Sequence, residues 1–350
     1  MIDEWLKSLR SNNTRKVYLS GLRIFASVVG EGEFEDVMAR YVNEVKKGRD
    51  VFNDLLNFAS LLRDKPPNTA NTYKNGVLSF LEYALDFELT KKQRRILRNR
   101  MPKGKRARTI EDDLTRERLR KILSHCDTKG KALFLFLVSS GIRVGEALQL
   151  ELDDIDLSSE PVKVNVRGEY TKTGDPYYSF ISQEAKEVLL EWLKVREQYI
   201  LTSYKRGRGL ARMGDGRGVK PLEDKRIFPF STYVAESMWN NALRKAGLEN
   251  HDKSTNRHTL HIHMLRKFFA SQLKLVVPRE IVEALMGHDE GLDKAYRRYT
   301  EKEIREWYLK GMPHLYIFVP QEITQIQTHF NAELQQARAE IQQLEKKVSD

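Results

Sequence analysis

Residues 139–156 read SSGIRVGEALQLELDDID. The apolar run ALFLFLV at 132–138 leads into them from Gly130, and the helix it predicts ends at Gly141. Arg143 then sits in the turn, with Glu146 three residues on. Downstream the period changes. VKVNV at 162–166 alternates as a half-buried strand does, and YYSFI at 177–181 is a second such run. Between them lies EYTKTGDP, whose Gly174-Asp175-Pro176 predicts a turn close to Lys172. Ser182 is placed to cap a long amphipathic helix with Val188, Leu189, Trp192, Val195 and Tyr199 along one face. KRGRGLARMGDGRG at 205–218 is rich in glycine and arginine and predicts a loop. Helical segments resume at 233–246, at 263–275 and from Glu280, and upstream Thr115 begins a helix in RERLRKILSHC. Residues 112–315 are therefore expected to form one domain, mainly α with a small antiparallel β-sheet (α+β).

The first 90 residues show helical spacing and no clear strand alternation. Thr14, or Asn12 and Asn13 before it, is expected to cap a helix carrying Val17, Leu19, Leu22, Ile24, Phe25 and Val28. A second run, Phe52 to Leu62, stops at Pro66-Pro67, where the missing donor and fixed φ end a helix. Asn68 or Thr69 starts a third, with Tyr73, Val77, Phe80, Leu81, Ala84 and Leu85 in register. This predicts an all-helical domain over 1–90. KKQRRILRNRMPKGKRAR at 91–108 holds ten Lys or Arg and no acidic residue, and predicts an interdomain linker over 91–111. A segment this basic is expected to lie along nucleic acid, where phosphates neutralise it. Its candidate phosphate contacts are Lys91, Lys92, Arg94, Arg95, Arg98, Lys103, Lys105, Arg106 and Arg108, joined by Arg206 and Arg208 from the later loop.

Lys plus Arg number 60 against 49 Asp plus Glu in 350 residues, a formal net charge of +11. Such an excess favours an anionic partner, most often nucleic acid. The single cysteine, Cys126, allows no intrachain disulfide and no cysteine-based zinc cluster. No apolar run approaches the ~20 residues of a membrane span. MIDEWLKSLRSNNTRK at the N-terminus has no apolar core of a secretory signal. A soluble, cytoplasmic, nucleoid-associated protein without membrane contact is expected.

Four segments carry residues with chemistry. Arg143 and Glu146 lie in the first, and Lys172 on the hairpin is the second. HIHMLRKFFAS at 261–271 places His263 and Arg266 on one helix face by the i, i+3 rule. LMGHDEGLDKAYRRYT brings His288 after a glycine, with tyrosines at 296, 299 and, further on, 308. Together these segments resemble the tyrosine recombinases, or phage-type integrases. That family's pattern is an Arg in a T/S-G-x-R-x-x-E-x-x-x-L setting, a Lys on a β-hairpin, H-x-L-R, L-G-H and then a Tyr. Here the motifs read SGIRVGEALQL, YTKTG, HMLR, LMGH and DKAY, and the resemblance covers roughly 112–312. The DEGLD segment is similar to archaeal-type members. The resemblance implies a helical N-terminal core-binding domain and a tyrosine-recombinase catalytic domain. It places the nucleophile at Tyr296, eight residues after His288, with Tyr299 as the alternative.

The residue types suit that chemistry. Cleaving a phosphodiester without a metal requires stabilising negative charge on a pentacovalent phosphorus, which paired guanidiniums do well. The resemblance implies Arg143 and Arg266 as the clamp with His288 as a further donor, His263 as the base for the tyrosine, and Lys172 as the acid for the 5′-oxygen. Glu146 would hold the Arg143 rotamer. His258, His261 and His263 as a metal set are disfavoured, since no Cys lies near and no Asp or Glu lies between Thr255 and Ala270. No metal site and no cofactor are expected. The leading expectation is a site-specific recombinase acting on double-stranded DNA through a 3′-phosphotyrosyl intermediate, as a tetrameric synapse built from monomers or dimers. The alternatives are type IB topoisomerase-like relaxation and an inactive DNA-binding accessory protein. In residues 316–350, Ile323, Ile326, Phe330, Leu334, Ala337, Ile341, Leu344 and Val348 approach a heptad seam, so 321–348 is expected to pack against another protomer, with a surface helix packed on its own domain as the rival.

Overall fold

The computed structural model describes residues 1–9, 11–103, 110–212, 221–253, 255–288 and 299–318. By its contacts the chain divides into two units, Met1–Thr109 and Ile110–Asp350. It is mainly helical, with one small antiparallel sheet.

The first unit holds α1 (Ile2–Ser8), α2 (Asn12–Val29), α3 (Phe34–Lys46), α4 (Val51–Leu61), α5 (Pro67–Leu85) and α6 (Lys91–Arg100). The cap of α2 is Ser11, one residue ahead of the expected candidates, its side chain accepting from the Thr14 amide. Asp50 caps α4 through the amides of Phe52 and Asn53. Helix α5 starts on Pro67 itself, a first-turn position that needs no donor. Trp5, Phe25, Tyr41, Phe58 and Phe80 are buried together in one core. Helices α2 and α5 meet over two glycines. A Cβ on Gly21 would lie 2.7 Å from the Cα of Tyr73, and one on Gly76 would lie 2.8 Å from the Cα of Tyr18.

The segment expected as linker differs from that reading. Thr90 and Gln93 form a capping box, Lys91–Arg100 are helical, and Leu97 and Met101 are buried in the first core. Lys and Arg are good helix formers, and one Leu and one Met on the inner face suffice to dock the helix. Within the expected linker, 104–109 with Lys105, Arg106 and Arg108 lies outside the described residues.

In the second unit, α7 (Arg116–Ser124) precedes α8 (Thr128–Ser140), in which every residue from Ala132 to Ser140 is buried. A helix apolar on all sides has to sit inside a core, and α8 packs against α10 (Gln183–Arg212), α12 (Met264–Leu273) and the sheet. After α9 (Val144–Ala147) come β1 (Ile155–Asp156), β2 (Val162–Val166) and β3 (Tyr177–Ile181), in the order β1-β2-β3, all antiparallel. Val162 pairs with Ile181, Val164 with Ser179 and Val166 with Tyr177. Strand β3 is buried on both faces: Tyr177 and Ile181 join the core around α8, while Phe180 joins a second cluster with Phe269, Ile281, Ile304 and Tyr308. That second cluster is completed by α13 (Arg279–Leu285) and α14 (Glu301–Gly311), after α11 (Thr232–Lys245) and α12. Helix α10, whose start is capped by Ser182, continues through residues 205–212, where a loop was expected. No helix among the described residues is long and apolar enough to cross a membrane.

Candidate active site

Gly141 ends α8 in the left-handed region, at φ 66°. A side chain there would strike the Phe269 ring at 2.3 Å, so the turn needs glycine. The turn delivers Arg143 to the start of α9. Arg143 Nη1 donates to Glu146 Oε1 at 2.8 Å, and the Arg143 amide donates to Glu146 Oε2 at 3.1 Å. Glu146 is buried, whereas Arg143 keeps 37% of its side chain exposed. The same carboxylate accepts the Tyr177 hydroxyl at 2.7 Å. Burial first, then the Glu146 charge, push the Tyr177 phenol far above its ordinary value, so it stays a donor.

Arg266 is buried on the first turn of α12. Its Nη1 donates to the Gly141 carbonyl at 2.5 Å, and its Nη2 to the Met286 carbonyl at 2.6 Å. Nη2 also lies 2.8 Å from His288 Nε2. No carboxylate among the described residues forms an ion pair with Arg266. Its pKa is lowered by burial and then by the Arg143 charge, while Tyr177 and Glu146 act in the opposite sense. The fork carries five N–H donors, and these partners occupy only part of them.

An arginine can only donate, so His288 Nε2 is the acceptor and the proton sits on Nδ1. Nδ1 in turn meets Glu283 Oε2. Burial opposes ionisation of Glu283, but bonds from Lys274 and His288 outweigh it and hold the carboxyl below its usual range. His288 follows Gly287, at φ 65°, where a Cβ would collide with the Tyr177 ring at 2.5 Å. Tyr177 therefore touches both arms of the site.

His263 precedes α12, and its carbonyl accepts the Arg266 amide at 3.2 Å. Its ring lies parallel to that of His261, 6.3 Å between centroids. The residue keeps an exposed edge, yet burial of its ring and then the Arg266 charge push the imidazole below its ordinary value. His261 pairs with Glu111 at 3.1 Å, and Lys267 pairs with the same carboxylate. Lys172 is exposed on the loop between β2 and β3.

Of the tyrosines, Tyr296 lies outside the described residues. Tyr299 is half-buried against the second cluster of this unit. Tyr308 is fully buried, its hydroxyl donating to the Ser139 carbonyl at 2.8 Å, which makes it a packing residue. Arg143, Glu146, Arg266 and His288 are thus joined by direct contacts or through Tyr177. Tyr177 and Glu283 were not anticipated. Tyr177 opens a strand among apolar neighbours, and Glu283 lies one turn before a helix end, so neither stands out by spacing.

Charges gather in the first unit as well. Lys91, Arg94, Arg95 and Arg98, spaced three and four apart on α6, line a cleft of about 660 Å³ with Lys74, Asn71 and Asn75 of α5. Lys92 and Lys103 are exposed outside its lining. On α10, Arg206 and Arg208 are exposed, and the Arg208 guanidinium lies 5.7 Å from the centre of the Tyr204 ring.

Residues 112–306 match the phage integrase family, and the chain belongs to that family. The tyrosine recombinase XerC of Azotobacter vinelandii is 29% identical over 193 residues, 53% of this chain and 54% of that protein. The tyrosine recombinase XerA of Saccharolobus solfataricus is 25% identical over 197 residues, 55% of this chain and 54% of that protein. The match therefore spans about half the length of these relatives. A tyrosine recombinase XerC of Treponema denticola is 24% identical over 273 residues, 75% of this chain and 84% of that protein. Among solved structures, a XerA recombinase superposes with a TM-score of 0.37 at 21% identity, covering 89% of this chain and 98% of that one.

Proposed function

We propose that the chain is a site-specific DNA recombinase that cuts and rejoins strands through a 3′-phosphotyrosyl intermediate. The observation that carries this reading is Arg266, a buried guanidinium held by two carbonyls and an imidazole with no ion-paired carboxylate among the described residues, beside the half-exposed Arg143. Such a pair suits a phosphate that gains charge during reaction. Tyr296 attacks phosphorus, its proton passing to His263, and the 5′-oxygen leaves with a proton from Lys172. A 5′-hydroxyl from a second strand then reverses the step, so the ester bond is conserved and no nucleotide is consumed. Tyr299 is the alternative nucleophile. His288 is a further donor to the phosphate once its Nε2 also carries a proton, with Nδ1 still on Glu283.

The partner is double-stranded DNA, bound through the α6 face, Arg206, Arg208 and the basic residues to 108, with exchange carried out by four protomers in the nucleoid. The first unit contacts DNA through the α6 cleft. Incubation with nicked suicide duplexes from the native locus, followed by peptide mapping, tests the reading. A covalent adduct on Tyr296 is expected, and an adduct on Tyr299 would move the nucleophile only. No adduct on any tyrosine, or relaxation of supercoiled DNA without strand exchange, would overturn it.

A further inference from the structure

The connection between α11 and α12 brings together a second set of chemical groups. His251 and His258 face each other across an antiparallel bridge, their ring centroids 4.1 Å apart. Glu249 stands beside them, and one donor atom from each of the three lies within 4.8 Å of the others. The connection is held tightly. Asp252 donates its amide to the Arg257 carbonyl at 2.8 Å and accepts the Thr255 amide at 2.7 Å, and Thr259 donates to the Asn250 carbonyl at 2.9 Å. The Ile110 amide also donates to Asp252, at 3.1 Å. One ring nitrogen is not explained by packing. His258 Nδ1 is buried with no hydrogen-bond partner among the described residues, which is rare for a buried ring nitrogen. Glu249 uses Oε2 for Arg244, at 3.3 Å, an outer hydrogen bond of the sort that orients a ligating carboxylate.

We propose that Glu249, His251 and His258 bind one divalent transition-metal cation of the zinc class. Two imidazoles and one carboxylate, with no thiolate, suit Zn²⁺ and its neighbours better than Mg²⁺ or Ca²⁺, and leave one position for water. The set differs from the three histidines considered from sequence alone. His261 is engaged with Glu111, and the carboxylate missing between Thr255 and Ala270 is supplied from before the bridge, by Glu249. The ion ties the connection together five residues ahead of His263. It acts as a brace, and it takes no part in the phosphate chemistry.

The test uses the full chain without a histidine tag. Zn²⁺ is titrated in competition with a chromophoric chelator, and the melting temperature is followed with Zn²⁺ or Mg²⁺. One equivalent of Zn²⁺ should bind and raise the melting temperature, with no response to Mg²⁺. H251A and H258A should each weaken binding by more than about 100-fold, beyond what loss of an outer-shell partner costs. H261A should bind Zn²⁺ as the parent does. Absence of binding to the parent chain, retention of binding in the H251A/H258A double variant, or its loss in H261A would each overturn the proposal. Each variant's melting temperature without metal shows that it is folded. Should H251A or H258A not fold, E249Q supplies the comparison.

Discussion

His288 shows how much a single proton's position decides. Its Nδ1 faces Glu283 and its Nε2 faces a donor, so the tautomer follows from the partners. Glu283→Gln leaves the shape intact and removes a charge-assisted bond, of about 1.5–3 kcal/mol. Single-turnover cleavage should slow roughly 10–100-fold, with DNA binding unchanged. A rate within twofold of the parent would remove Glu283 from the mechanism. His263 carries a second consequence. Burial and then the Arg266 charge push its imidazole below 6.5, so it remains neutral, and able to take a proton, to a lower pH than an ordinary histidine. The acid limb of the cleavage profile should have its midpoint below 6.5, with a flat region above it. A midpoint at or above that value would contradict the assignment of His263 as base. Arg143→Ala and Arg266→Ala should each cost at least ~10² in rate, the scale for one transition-state donor.

At the scale of elements, the crossing of α2 and α5 is the most exacting contact in the first unit. Gly76→Ala would press a methyl onto the Tyr18 backbone, and overpacking of this kind costs about 1–3 kcal/mol. A lowered denaturation midpoint of the first unit is expected, read in urea, and an unchanged midpoint would mean that the helices slide apart freely. Period alone made α2, α4, α5, β2 and β3 legible, because each repeats its apolar residues at the spacing of its backbone. Helix α6 was read as linker because a run of charges hides the two apolar residues that dock it. The end of α10 was read as loop because its two glycines, Gly207 and Gly209, outweighed its arginines, although each glycine costs only about 1 kcal/mol in a helix. Arg143, Arg266 and His288 were visible as motif residues. Tyr177 and Glu283 were not, since their roles arise from the meeting of β3 with the Gly287 turn and from His288, three residues past α13, folding back onto that helix.

Across the whole molecule, the excess of positive charge lies almost entirely in the first unit, residues 1–109. Four α6 cations line the cleft with Lys74. If DNA lies there, replacing Lys91, Arg94, Arg95 and Arg98 by glutamine should flatten the dependence of log affinity on log salt by roughly 3 to 4, near 0.9 per phosphate contact. Fluorescence anisotropy across a salt series measures this, and an unaltered slope would place the DNA elsewhere. The expected seam at 321–348 lies outside the described residues. Just before it, however, Glu184 accepts the amides of Ile317 at 2.9 Å and Phe318 at 2.6 Å, so the chain is anchored to its own domain up to that point.

The manner in which Arg266 is held couples folding to the surrounding solution. Carbonyl dipoles fix the guanidinium without cancelling its charge, and Arg143 beside it adds repulsion that burial sharpens. The folded chain therefore carries a cost that Glu146 relieves in part and an entering anion relieves further. Any small oxyanion that enters the pocket is linked to unfolding, and by mass action it must raise the melting temperature. Orthophosphate or vanadate should stabilise the parent chain at constant ionic strength, and the gain should vanish in Arg266→Ala. Equal gains in both would show that the anions act on the surface at large. Seen this way, the melting curve is an assay for the pocket that needs no knowledge of the DNA sequence.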